Sequence, residues 1–471
     1  MAEPGLKTEA LTDRTGLDDL TSTLGVSLRE AAWTWARVAA LSFGGPAGQI
    51  AVMHRILVDE KKWISERRFL HALNYCMLLP GPEAHQLAVC IGWLMHRVRG
   101  GIVSGALFVL PGLVALGILS WIYAAYGQVG LVGAAFFGLK AAVLAIVLHA
   151  VLRIGRRALK NPVLVAIAGM AFIGIFFLAL PFPLIVLAAG LLGYFAQPVA
   201  PNWFKAPSHD QVNGEAPGLI DRQFDRGLPE HVRPSASRLL RIALVGTALW
   251  FAPLLTLLAF LGPDNVFVAI AIFNSKMAVV TFGGAYAVLT YMAQQAVEFY
   301  HWLRPDEMLA GLGLAETTPG PLISVVQFVG FMGASRQPGA LDPMLAGTMG
   351  GLLAMWCTFV PSFLWIFMGG PYVEALIGNR RLNAALSAIT AAVVGIILNL
   401  AVWFGLHTLF GEVEQTHWFG VTLNSPDVAS LSWPVLLLSL AAMVAIFRFR
   451  IGVVPVLLGS CLAGMAFRFV A

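Results

Sequence analysis

Five stretches of this chain, residues 102–125, 129–152, 163–180, 344–368 and 384–410, are apolar over lengths that approach or exceed the ~20 residues a helix needs to cross a bilayer. Runs of that length are continuous, without the alternation that a membrane β-barrel requires. Composition agrees: 58% of the 471 residues are hydrophobic and 12% charged, against about 25% charged in an ordinary soluble domain. The expected fold is an all-α polytopic membrane protein. A secreted disulfide scaffold, a soluble enzyme and a disordered tail are excluded. Residues 1–27 read as a polar tail with no apolar core of a signal peptide. The net charge of +5 reflects basic loops between apolar runs and not a nucleic-acid surface. Cys76, Cys90, Cys357 and Cys461 stand singly, so neither a disulfide framework nor a metal cluster is expected.

The chain repeats itself. Phe43-Gly44-Gly45 recurs as Phe282-Gly283-Gly284 at an offset of 239, and Trp63/Trp302, Arg37/Lys276 and Pro80-Gly81-Pro82/Pro319-Gly320-Pro321 keep the same register. Leu110-Pro111-Gly112 resembles Val360-Pro361-Ser362 at a slightly larger offset. One such motif means little, but four in one register define an internal repeat. The expected organisation is a polar tail (1–27), a membrane repeat (28–197), a hydrophilic linker (198–238) and a second membrane repeat (239–471). The stretch 198–241 holds eleven of the 55 charged residues (30 basic plus 25 acidic).

Loop charge indicates how the repeats are oriented. Residues 54–68 carry Arg55, Lys61, Lys62, Arg67 and Arg68, whereas the matching 293–307 carries Arg304 alone. Residues 153–160 hold four basic side chains and their counterpart 411–432 none; the pattern reverses between 124–128 and 369–383, where Arg380 and Arg381 sit. Matched loops thus fall on opposite sides of the membrane, and the repeats are inverted, as in secondary transporters with a midplane site at the repeat interface. The segments flanking each glycine–proline motif are too short to cross. They read as re-entrant helical hairpins, four in all, beside about nine full spans; complete crossings are the alternative.

Gly-Gly and Pro-Gly-Pro break helices, and broken backbone inside a membrane is tolerable where it lines a cavity or meets a ligand. Half-helices starting at Pro46, Pro82, Ala285 and Pro321 would aim free N–H groups at an anion. The substrate-binding candidates are Gly44, Gly45, Gln49, Gly81, Gln86, Gly283, Gly284, Thr317, Thr318 and Gly320, with Arg37 and Lys276 as paired cations around one dianion. The bland alternatives are packed glycines, a proline kink, and an Arg37 that snorkels to the interface. Lys140 is a third buried cation, packed or paired on the other reading. Glu83, Glu316 and His85 are candidates to carry protons, with a satisfied carboxylate or a packed ring as the alternative; His149 is read the same way as His85. No nucleophile–base set, phosphate loop or metal cluster appears, so no enzyme chemistry, cofactor or metal is expected.

Phe43-Gly44-Gly45-Pro46 with Gln49, Trp63-Ile64-Ser65, Leu79-Pro80-Gly81-Pro82-Glu83, Thr281-Phe282-Gly283-Gly284-Ala285-Tyr286 and Glu316-Thr317-Thr318-Pro319-Gly320-Pro321 together resemble the long, two-domain form of the chromate ion transporter family. The resemblance covers nearly all of 28–471. It departs at His85, where the family suggests Gln, and at Thr290, where it suggests Pro. It implies a multi-pass protein of the bacterial inner membrane that exports chromate, a sulfate-like dianion, by alternating access and confers chromate resistance. A sulfate or other oxyanion carrier, with or without proton coupling, and an oxyanion channel stay open as alternatives. The implied partners are the dianion and the lipid bilayer; a homodimer is left open.

Overall fold

The computed structural model describes residues 25–43, 45–127, 129–204, 217–225, 227, 229–282, 285–373, 379–418 and 421–470. Helices dominate, and among the described residues five of them are long and apolar enough to cross a membrane. The chain is an all-α polytopic membrane protein.

The first half opens with two broken hairpins. Helix α1 (Leu28–Leu41) turns at Ser42 into α2 (Gly45–His54), which ends in a π-helical turn (Arg55–Glu60). Helix α3 (Glu66–Leu78) turns at Pro80-Gly81-Pro82 into α4 (Glu83–Tyr126), which is bent at His96 and Arg97. Then follow α5 (Gly130–Ala158), α6 (Pro162–Phe176) and α7 (Phe182–Ala196). After a short linker helix α8 (Leu219–Asp225) and a long α9 (Ala236–Leu261), the pattern returns. Helices α10 (Val266–Val280) and α11 (Ala285–Gln294) with its π turn (Gln295–Phe299) form one hairpin. Helices α12 (Pro305–Thr317) and α13 (Val325–Arg336) form the next. They lead into α14 (Pro343–Gly369), α15 (Arg380–Leu409), a β-hairpin of β1 (Val413–Trp418) and β2 (Val421–Pro426), α16 (Trp433–Phe447) and α17 (Val453–Val470).

The repeat extends to single hydrogen bonds. Trp63 N donates to Leu57 O (2.9 Å) and Trp302 N to Ala296 O (2.8 Å), closing matching π turns behind Lys62 and His301, which share a left-handed φ of 54° and 52°. Ser42 and Thr281 hydroxyls donate back to Val38 O and Met277 O at the equivalent breaks. Among the described residues helix α9 has no counterpart in the first half, and the helices that match between the repeats start at α1 and α10. Among its described side chains only Trp250 is buried, while Leu240, Leu244, Leu255 and Phe260 are exposed, as a lipid-facing helix requires.

Each hairpin keeps its ends together and its break inside. Lys61 bonds Glu30 (3.1 Å) and Arg37 bonds Glu60 (2.8 Å), so the π turn after α2 is held against α1. His96 Nε2 meets Val26 O (2.8 Å), bringing the end of the first α4 arm to the start of α1. The second α4 arm, 98–126, leaves from this end and finishes beside the loops of the other repeat. There Trp121 donates to Thr348 (2.8 Å) and Tyr123 meets Phe328 edge-on. The hairpin loops of the two repeats therefore lie at opposite ends of one helix, and the repeats are inverted. An odd span, α9, is what reverses the second copy.

The linker is partly docked. Leu219 N and Ile220 N donate to Lys62 O (3.2 Å) and Trp63 O (2.9 Å), and Ile220 is fully buried. Asp221 accepts from Ser65 N (2.9 Å) and Arg68 Nε (2.7 Å). Burial pushes its carboxyl up, but Arg68 and Ser65 prevail and hold it below the usual carboxylate range.

Candidate functional site at the crossed helix breaks

The four breaks meet in pairs that cross between repeats. Gly81 N donates to Thr281 O (2.8 Å), and Gly320 N donates to Ser42 O (2.9 Å). Gly81 is equivalent to Gly320 and Ser42 to Thr281, so the contact is self-complementary, as a twofold axis requires. Both glycines hold φ in the glycine-favouring region (128° and 105°). A Cβ on Gly81 would stand 2.6 Å from Gln86 Nε2 and 3.1 Å from Ser362 Oγ, and one on Gly112 would stand 2.7 Å from Pro319 O. The Pro111-Gly112 and Pro361-Ser362 segments of α4 and α14 thus pack on the opposite repeat's break.

Polar groups collect at this crossing and are left unpaired. Gln49 Nε2 donates to Gly320 O (2.5 Å) and Gln86 Nε2 to Pro80 O (2.7 Å), yet each Oε1 is buried without a protein partner. The same holds for Glu316 Oε2, Ser324 Oγ, Gln327 Oε1 and Ser362 Oγ. Leaving a buried polar atom unpaired costs about 1–3 kcal/mol, so a cluster of them marks a place for water or a polar ligand. Helix α4 starts behind Pro82, and the 3-10 turn before α13 behind Pro321, with no side chain bonded to the first N–H groups. The loop-facing starts are closed: Ser27, Ser65 and Asn265 cap α1, α3 and α10. Free helix N–H groups and the Ser324 and Ser362 hydroxyls are donors suited to oxyanion oxygens. The amide and carboxylate oxygens are acceptors suited to water.

Of the residues singled out from sequence, Gly45, Gln49, Gly81, Gln86, Glu316, Thr318 and Gly320 lie at or beside the breaks. The Thr317 and Thr318 hydroxyls bond back to Leu314 O (2.8 Å) and Ala315 O (3.1 Å). Gly44, Gly283 and Gly284 lie outside the described residues. Glu83 is the first residue of α4 and half-buried. His85 is buried edge-on to Phe359 (5.0 Å) and Phe363 (5.1 Å), packed as a ring; His149 sits beside Phe447 (5.6 Å). The structure does not bring Arg37 and Lys276 into the cluster. Five residues before Ser42 and Thr281 is about 140° around the helix from the inward face. Arg37 accordingly reaches the half-exposed Glu60, and Lys276 is exposed. Lys140 is paired with Asp306 (2.8 Å).

Sequence reasoning gave Tyr286 no role of its own. Its hydroxyl donates to Glu316 Oε1 (2.6 Å) and would lie 3.7 Å from a Cβ on Gly45, so α11 of one repeat reaches the first break of the other. The equivalent residue is Ala47, and that asymmetry was the available signal.

A family model described as chromate transporter matches residues 29–194 and 268–465, omitting the linker and α9. A chromate transport protein of Pseudomonas aeruginosa is 33% identical over 76% of this chain and 76% of its own length. One of Cupriavidus metallidurans is 26% identical, covering 79% and 81%. An uncharacterized transporter of Methanocaldococcus jannaschii is 21% identical, covering 79% and 83%. No solved structure matches. With the family model matching both membrane halves and a relative 33% identical over 76% of both chains, this chain belongs to the chromate transporter family.

Proposed function

We propose that this protein is a secondary transporter that moves chromate out of the cell by alternating access around the crossed breaks, and so confers chromate resistance. The observation that carries the reading is the reciprocal pair Gly81–Thr281 and Gly320–Ser42 with unpaired buried polar atoms around it. Such a site sits where the two repeats hinge on each other. Relatives that carry the name chromate transport protein supply the substrate. Chromate is tetrahedral and doubly negative, and sulfate shares both properties, so sulfate is the natural competitor. By the positive-inside rule the end bearing Lys61, Lys62, Arg67 and Arg68 is cytoplasmic in the inner membrane. A dianion leaving a cell at about −100 mV gains roughly 4.6 kcal/mol, twice the ~2.3 kcal/mol per charge, so export proceeds downhill.

The test is potential-driven flux of labelled chromate in vesicles holding the purified protein, with and without excess sulfate. Saturable flux that follows the potential and is suppressed by Gln86→Leu supports the reading. Sulfate flux with no chromate movement would replace the exporter with an oxyanion carrier. Flux that does not saturate would replace the carrier with a channel.

A further inference from the structure

The Tyr286–Glu316 pair has a one-sided approach. Helix α11 and its π turn place Tyr286, Thr290, Gln294 and Glu298 at four-residue spacing, on one face. Beside that face lies a cavity of about 210 Å³, lined by Thr290, Gln294, Glu298, Asn399 and, from the β-hairpin, Asn424. It is polar enough and large enough to hold several waters. Glu298 accepts from Trp403 Nε1 (3.1 Å). At the inner limit of the cavity Thr290 is buried, its hydroxyl directed to Ile396 O (3.3 Å) and Tyr286 O (3.5 Å). One helical turn further on, the Tyr286 hydroxyl holds Glu316 Oε1, while Oε2 is buried without a partner. The first repeat has nothing comparable: its equivalents of Tyr286 and Thr290 are Ala47 and Ala51, and those of Gln294 and Glu298 are Arg55 and Asp59.

We propose that Glu316 carries one proton outward with each dianion and releases it to the side of the membrane opposite the linker, through the cavity that runs from Glu298 to Thr290, with Tyr286 positioning the carboxyl. This deepens the transport reading and rests on it. Hydronium reaching the crossing with the dianion from the linker side gives its proton to the Glu316 carboxylate, leaving water and a neutral carboxyl, and on the other side that carboxyl returns the proton to water in the cavity. The crossing then holds one negative charge fewer, and the dianion enters without facing a bare carboxylate. Dianion and proton therefore travel together, and the charge moved per cycle falls from two to one. Glu316 is faced by Tyr286 of α11 and, at longer range, by Arg153 of α5. The other acidic residues of α12, Asp306 and Glu307, are at its far end with Lys140, Arg304 and Arg336. Thr290 and the Tyr286 ring form the layer that closes the path in this conformation.

The experiment uses the full chain in vesicles at clamped zero potential, with labelled chromate and labelled sulfate as probes and a set pH difference. The expected result is a steady anion ratio that shifts about tenfold per unit of pH difference. Glu298→Gln is expected to reach the same ratio several-fold more slowly, with anion self-exchange unchanged. Tyr286→Phe is expected to flatten the dependence in whatever flux it retains. A wild-type ratio indifferent to pH, with flux intact, overturns proton coupling and leaves the transport reading standing. Equal approach rates for wild type and Glu298→Gln overturn the cavity as the route. Absence of any anion flux overturns the transport reading and this one with it.

Discussion

The two hairpin pairs share their backbone bonds and differ in what holds their loops. In the second repeat Trp302 O accepts from Arg336 Nη1 (2.5 Å), and Arg336 Nη2 bonds the buried Glu307 (2.6 Å), so the loop is held from within. In the first repeat the equivalent carbonyl, of Trp63, accepts from Ile220 N of the linker, and Asp221 takes Arg68. The position equivalent to Arg336 is Arg97, which is exposed at the bend of α4. One loop is closed by its own hairpin and the other by a segment that joins the halves. The same division holds at the breaks, where the first repeat presents Ala47 and the second Tyr286. What is common to both repeats is scaffold; what differs assigns each half a task.

The largest expected effects strike the scaffold. Gly81→Ala forces a side chain into φ 128° and onto Gln86 and Ser362, whereas Gly320→Ala meets its nearest atom, Phe108 O, at 3.4 Å. Backbone strain of about 1–3 kcal/mol applies to both. Displacing Gln86 from Pro80 applies to Gly81 alone, so initial chromate rates in vesicles should fall roughly tenfold more for Gly81→Ala, converting about 1.4 kcal/mol. Equal losses would mean that the two breaks are not distinguished by their packing.

Next come the loop clamps. Arg336→Ala leaves Glu307, whose side chain is 3% exposed, with Arg304 as its remaining cation. Breaking a buried pair costs about 3–5 kcal/mol; since Arg304 stays and Arg336 is itself partly exposed, about 2 kcal/mol is expected in detergent unfolding. Arg68→Ala removes a more solvated pair and should cost about 1 kcal/mol or less. The first clamp also answers to pH. Because the Asp221 carboxyl is held below its usual range, its contribution is complete above the unfolded pKa, about 3.9, and is lost as pH falls through the lower folded value. Pepsin cleavage near the linker should rise across that window in the wild type and be already high, without that step, in Asp221→Asn.

How much of this was readable in advance follows from the same contrast. The 239-residue offset, the breaks and the loop charge lie in the chain itself, because glycine, proline and arginine have fixed local consequences. Their crossing between repeats is tertiary, and Ser42, Gly81, Thr281 and Gly320 reveal it only once two distant hairpins meet. Tyr286 and Glu298 sit in apolar segments where an aromatic or a terminal carboxylate reads as ordinary. The linker read as solvated because eleven charged residues crowd 198–241, although Ile220 is buried as its anchor. Arg37 and Lys276 share a register that the sequence shows, but their azimuth, about 140° from the inward face, turns them away from the crossing.

Those two cations give the smallest and most discriminating effect. Each stands on the first helix of an inverted hairpin pair, so in the proposed orientation Arg37 lies on the cytoplasmic side of the crossing and Lys276 on the opposite side. The fold leaves both side chains exposed, and the comparison tests whether each faces a water-filled approach to the crossing. A cation so placed is expected to raise the local concentration of a dianion without touching it at the crossing, an effect that salt screens. Arg37→Ala should therefore raise the apparent KM for chromate presented at the cytoplasmic face by roughly two- to threefold at low salt, leave kcat unchanged and have little influence from the other face. Lys276→Ala should do the reverse. Both differences should vanish at high ionic strength, because the Arg37–Glu60 pair is too exposed to matter for the fold (side chains 50% and 38% exposed). Loss of kcat from either face would instead return Arg37 and Lys276 to the site itself and make the two halves functionally equivalent after all.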